Sequence, residues 1–204
     1  MVYDSSMSYN TKYYIANQAL QKSDDSTDRI VFIGDSITEF WVTHNPLFFS
    51  SNSYINRGIS GETTSQILKR FIPDVIDLRP KAVVLLAGIN DIAENNGPIS
   101  IEAIFENIKS MIGMAQENDI KVYLCSVLPA NRFYWNLKIS PANQVVQLNK
   151  LLHSYAKDNA LTYVDYYNRM VDDQKGLLSS YGSDGVHPNR DGYAVMQSVI
   201  SSFL

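Results

Sequence analysis

Apolar, β-branched runs alternate along this chain with segments of helical period, and few folds satisfy such an alternation. The runs lie at 29–33 (RIVFI), 54–56, 82–87 (AVVLLA), 120–127 (IKVYLCSV) and 161–164. A strand that is apolar at almost every position has no face to give to water. The third and fourth runs therefore read as central strands of a parallel sheet covered by helices on both sides. The covering helices are visible as stripes at helical spacing. One is Ile67, Leu68, Phe71, Val75 and Leu78, and a second is Ile101, Ile104, Ile108, Met111, Ile112 and Ala115. Val145, Leu148, Leu151, Leu152 and Tyr155 form a third, and Tyr193, Met196, Ile200 and Phe203 close the chain. The pattern predicts an α/β protein built on a five-stranded parallel sheet.

The 204 residues suit one such domain. A helix around 13–20 and a polar connection at 21–28 (QKSDDSTD) make residues 1–28 an N-terminal extension of the same domain as 29–204. Seventeen Lys and Arg against 21 Asp and Glu leave no basic excess to neutralise a phosphate backbone, so nucleic acid is not an expected partner. Cys125 is the single cysteine, which excludes an internal disulfide, and no Cys/His cluster offers a metal site. His44 and His153 lack the companions a ligand set needs and read as packing or surface residues. No apolar run is long enough to span a membrane. The polar start MVYDSSMSYN has no signal-peptide character, but a secreted or periplasmic protein without its leader would begin in the same way as a cytoplasmic one.

In doubly wound sheets ligands bind beyond the carboxyl ends of the strands, and here those ends carry small and polar residues. The first leads into Gly34-Asp35-Ser36. A serine on a tight strand-to-helix turn can point its hydroxyl into the crevice, although Asp35 or Ser36 could equally be only a helix cap. The second leads into the segment from Asn56 through Arg57, Gly58 and Ser60 to Gly61 and Thr63, where glycines admit a close backbone approach. The third leads into Gly88-Ile89-Asn90-Asp91, either a polar turn or an amide aimed at developing charge. Near the C-terminus, Asp184-Gly185-Val186-His187-Pro188-Asn189 spaces an Asp three residues before a His, which can fix the tautomer that a general base needs. This topology brings all four segments to one rim.

Taken together, the four blocks resemble the SGNH hydrolases, or GDSL-type esterases. GDS stands around Ser36, ISGET contains Gly61, GIND contains Asn90, and DGVHPN contains Asp184 and His187, in the family's order. Ile37 replaces the leucine of the longer GDSL pattern, and Ile89 stands where many members have a second glycine. No GxSxG elbow is present. The resemblance, which covers the chain from about Arg29 onward, implies a three-layer α/β/α sandwich with a flavodoxin-like five-stranded parallel sheet. It implies Ser36 as nucleophile, His187 as base and Asp184 as its orienting partner. The implied oxyanion hole is made of the backbone N–H groups of Ser36 and Gly61 and the side-chain amide of Asn90. No cofactor and no metal are implied.

For substrate binding the candidates are Asp35, Arg57, Asn131, Arg132 and Trp135. The last three lie in the polar, aromatic stretch 128–136 after the fourth strand, where Phe133, Tyr134 and Trp135 could wall an acyl pocket, stack on a sugar, or pack under the loop. Trp41 carries the same ambiguity. The expected activity is hydrolysis of acetyl or other short acyl esters on a small molecule or glycan, without membrane insertion. The subgroup is similar to platelet-activating-factor acetylhydrolase-like and carbohydrate acetyl esterase members. Lysophospholipid or thioester hydrolysis, a silent glycan-binding module and a phosphate binder are the alternatives; the last leaves the Asp184 and His187 pair unexplained.

Overall fold

The computed structural model describes residues 12–23 and 28–204. The polar start and residues 24–27 of the expected connection lie outside these. Five strands, β1 (Ile30–Gly34), β2 (Tyr54–Gly58), β3 (Ala82–Leu86), β4 (Lys121–Cys125) and β5 (Thr162–Val164), form one sheet in the order β2-β1-β3-β4-β5, all parallel. β1 and β3 are buried along their whole lengths, as strands with helices on both faces must be.

Ten α-helices accompany the strands among the described residues: α1 (Tyr14–Gln21), α2 (Ser36–His44), α3 (Pro46–Ser50), α4 (Thr64–Lys69), α5 (Phe71–Asp74), α6 (Ile89–Ile92), α7 (Ile101–Gln116), α8 (Ala142–Asp158), α9 (Tyr167–Met170) and α10 (Arg190–Ile200). On one face Phe32 of β1 meets Trp41 of α2 and Phe48 and Phe49 of α3 edge-on, and Trp41 in turn packs on Tyr193 of α10. On the other, α4 packs on α7, α7 on α8, and α1 on α5. The helices on both faces expected from the alternation, and the three-layer sandwich implied by the resemblance, are present.

The helical stripe 67–78 is not one helix. It divides into α4, α5 and a 3-10 turn at Ile76–Leu78. Pro73 cannot donate its backbone N–H, and Arg70 between α4 and α5 turns inward to be buried. That inward turn matters to the site.

Candidate active site

Register brings the first three motif segments together. Gly34, at the end of β1, stands opposite Gly58 of β2 and Leu86 of β3, so the loops beginning at Asp35, Ile59 and Ala87 leave the sheet side by side. A Cβ on Gly34 would lie 2.3 Å from Thr38 Oγ1 and 2.4 Å from the Leu86 carbonyl; only glycine lets α2 start this close to the sheet.

Arg70 ties these ends together from beneath. Its guanidinium donates to the carbonyls of Gly34 (3.0 Å) and Arg57 (2.9 Å) and to the carboxylates of Glu62 (2.5 Å) and Asp74 (2.8 Å). Asp91 performs a similar task between the second and third loops, accepting from the Thr64 N–H at 2.8 Å and the Thr64 hydroxyl at 2.6 Å. GIND is therefore no simple turn: Gly88 leads into α6, which Ile89, Asn90 and Asp91 open, with Asp91 gripping the start of α4 and Asn90 beside it.

Ser36 occupies the first position of α2 and is 6% exposed. Its Oγ lies 2.8 Å from His187 Nε2, and His187 Nδ1 lies 2.6 Å from Asp184 Oδ2. The other Asp184 oxygen accepts the backbone N–H groups of Val186 (3.0 Å) and His187 (2.7 Å). Burial works against the charge of Asp184, but these N–H groups and the imidazole outweigh it and hold the carboxyl below its ordinary range. An ionised Asp184 can only accept, so the imidazole proton sits on Nδ1 and leaves the Nε2 lone pair facing the Ser36 hydroxyl.

The second and third loops also meet. The Asn90 amide donates to the Glu62 carbonyl at 3.1 Å, next to Gly61. Gly61 itself has φ +79°, a conformation glycine adopts without strain.

The five candidate binding residues divide. Trp135 is half exposed, with its ring centroid 6.5 Å from that of His187. Arg132 is exposed and lies over Tyr134, and Asn131 donates to the Gln174 carbonyl at 3.3 Å. Asp35 is 1% exposed and takes the capping alternative at α2, accepting from the Ile37 N–H at 2.9 Å. Arg57 differs from expectation. Its Nε donates to Asn17 of α1 at 2.8 Å, its Nη1 donates to the neighbouring Asn56 carbonyl at 2.7 Å, and its guanidinium lies over the Tyr13 ring, so its partners belong to the protein itself. An arginine in a strand can snorkel toward whichever element covers it, and the sequence does not say which element that is.

Trp41 and Phe133 are buried packing residues. His44 stacks on Tyr193, the His153 ring meets that of Tyr163 at a tilt of 58°, and Cys125 is buried, its thiol pushed up by desolvation. Among the described residues no cluster of His, Cys, Asp and Glu could hold a metal ion. Phe40 was not foreseen. Its ring centroid lies 5.5 Å from that of His187, and the signal was present in its spacing four residues after Ser36, on the same side of α2.

A model of the GDSL-like lipase/acylhydrolase family matches residues 32–195, from the strand before Ser36 to the helix after His187. The chain belongs to that family. It is a family of carboxylic ester hydrolases, and this acylhydrolase is similar along nearly its whole length to two solved Bacteroides structures. One, from B. fragilis NCTC 9343 and described as a candidate acylhydrolase, is 45% identical with a TM-score of 0.92, covering 98% of this chain and 97% of that one. The other, a GDSL-like lipase from B. thetaiotaomicron VPI-5482, is 46% identical with a TM-score of 0.89, covering 93% and 94%. Among curated proteins, the uncharacterized lipoprotein YqeF of Bacillus subtilis (strain 168) is 33% identical over 78 residues, 37% of this acylhydrolase; the match spans about a third (32%) of that relative's length.

Proposed function

We propose that this acylhydrolase removes acetyl or similarly short acyl groups from hydroxylated substrates, carbohydrates foremost, by a serine mechanism. The observation that carries the reading is the unbroken line from Asp184 through both ring nitrogens of His187 to the Ser36 hydroxyl, at 2.6 and 2.8 Å.

Ser36 Oγ attacks the ester carbonyl while its proton passes to His187 Nε2, and Asp184 stabilises the imidazolium that forms. The carbonyl π electrons move to oxygen. The resulting oxyanion is met by the N–H groups of Ser36 and Gly61 and by the Asn90 amide. Collapse of the tetrahedral species expels the substrate alkoxide, which takes the proton from His187 and leaves acyl-Ser36. Water then repeats the sequence, with His187 as base, to release the acid and restore the hydroxyl.

The surroundings support a small acyl group. Beside Asn90 stand the Glu62 carbonyl and the Asn95 and Gly61 groups, polar partners that a long alkyl chain would desolvate. On the leaving-group side, the half-exposed Trp135 ring offers a flat face for a sugar, with the exposed Arg132 close in sequence to hydrogen-bond hydroxyls. One feature favours a second reading: Tyr134, Trp135 and Leu137 expose large apolar surface in one loop, which suits a longer acyl chain as in a lysophospholipase.

Hydrolysis of p-nitrophenyl esters from acetate upward, with Ser36→Ala as the blank, separates these readings. Turnover that peaks at acetate and vanishes in the variant is expected. A maximum at long chains favours the second reading. Absence of any Ser36-dependent turnover favours a silent binding module.

A further inference from the structure

A side-chain amide is nearly symmetric in shape but opposite in chemistry at its two ends, so an asparagine that must donate to an oxyanion needs something to fix which end faces the substrate. Around Asn90 the fixing group is Asn95. Its Nδ2 donates to Asn90 Oδ1 at 2.8 Å, so Oδ1 is occupied as an acceptor and the NH2 end must lie on the other side. That NH2 gives one hydrogen to the Glu62 carbonyl at 3.1 Å and keeps the second available.

Asn95 is itself held in place. The chain leaves α6 through Glu94, whose φ of +58° turns the backbone sharply, and the Asn95 N–H returns to the Asn90 carbonyl at 3.0 Å. From there Nδ2 also reaches the Gly61 carbonyl, at 3.5 Å. One amide thus spans the two loops that carry Gly61 and Asn90. Asn90 is 6% exposed, whereas Asn95 lies at the surface, where it can be changed without opening the core.

We propose that Asn95 is a positioning residue for the oxyanion site: its amide sets the orientation of the Asn90 amide and ties Asn90 to the Gly61 loop. This rests on the reading of Asn90 and Gly61 as oxyanion donors given above. Asn95 touches neither the acyl group nor Ser36 in this scheme; it acts through Asn90.

The test is the kinetics of p-nitrophenyl acetate hydrolysis by Asn95→Ala and Asn95→Asp, each made also in an Asn90→Ala background. The aspartate has the same shape but only accepts, so it repels Oδ1, attracts the NH2 end and turns the Asn90 amide over. Asn95→Ala should lower kcat about 5- to 10-fold, the loss of one ordinary hydrogen bond. Asn95→Asp should lower it about 10²-fold, close to removing the donor itself. KM and thermal stability should stay near those of the parent, and in the Asn90→Ala background neither change should lower kcat further. Parental kcat in both Asn95 variants, while Asn90→Ala is impaired, overturns the proposal and leaves the oxyanion reading standing. So do effects that add in full to those of Asn90→Ala. Parental kcat in Asn90→Ala overturns both.

Discussion

The Tyr193 hydroxyl donates to the Ile37 carbonyl at 2.8 Å, pinning the helix that follows His187 to the first turn of the helix that begins with Ser36. These residues are 156 positions apart in sequence. Tyr193 is fully buried, and that burial pushes its ionisation well up, so it remains a donor across the working pH range. Tyr193→Phe should destabilise the fold by about 1 kcal/mol. It should also lower kcat several-fold, because the seam that holds Ser36 against His187 loosens. Denaturant melts and acetate-ester kinetics check both, and no change in either would make the contact idle.

Asp184→Asn keeps an oxygen for the N–H groups of Val186 and His187, so the loop should hold its shape. The amide, however, can donate to Nδ1 and move the ring proton to Nε2, where it can no longer accept from Ser36. A fall in kcat of about 10⁴-fold with little loss of stability is expected. Near-parental kcat would remove Asp184 from the proposed relay.

Asp35 supplies a pH effect. One of its oxygens caps α2, the other is buried without a hydrogen-bond partner, and desolvation pushes the carboxyl up to about 7. Between the ordinary carboxylate value and about 7 the folded chain holds a proton that the unfolded chain has released, so stability from this group falls as pH rises through that window. A side-chain amide at this position would not titrate. Asp35→Asn should therefore gain on the parent between about pH 4.5 and pH 8, by on the order of 1 kcal/mol or more. Denaturant midpoints of both proteins at the two pH values decide it, and a constant difference would refute the titration.

Trp135→Ala removes a half-exposed ring and should leave folding intact. If the ring is a sugar platform, KM for an acetylated oligosaccharide should rise about 2- to 10-fold while that for p-nitrophenyl acetate stays put. Equal KM values for parent and variant on the oligosaccharide would argue against stacking there.

The strands were legible because central parallel strands have no choice of face. The 82–87 run is β3 within one residue, and 29–33 is β1 shifted by one. The helical stripe 67–78 was less legible because apolar spacing alone does not reveal that Arg70 is buried against the Gly34 and Arg57 carbonyls. GIND as a turn failed for a related reason: α6 is held by its contacts to Thr64 and Glu62, more than 25 residues away.

What the sequence alone determined is the layout: which runs become strands, and hence that the loops after Gly34, Gly58 and Leu86 share one edge, since apolar patterning and glycine placement are local properties of the chain. The tertiary structure decided which way the side chains at that edge turn. Arg57 faces Asn17, Asp35 turns in to cap α2, Phe40 and Trp135 flank His187, and Asn95 folds back on Asn90. Most of those outcomes are set by partners distant in sequence, and a polar side chain takes its direction from the partner that satisfies it.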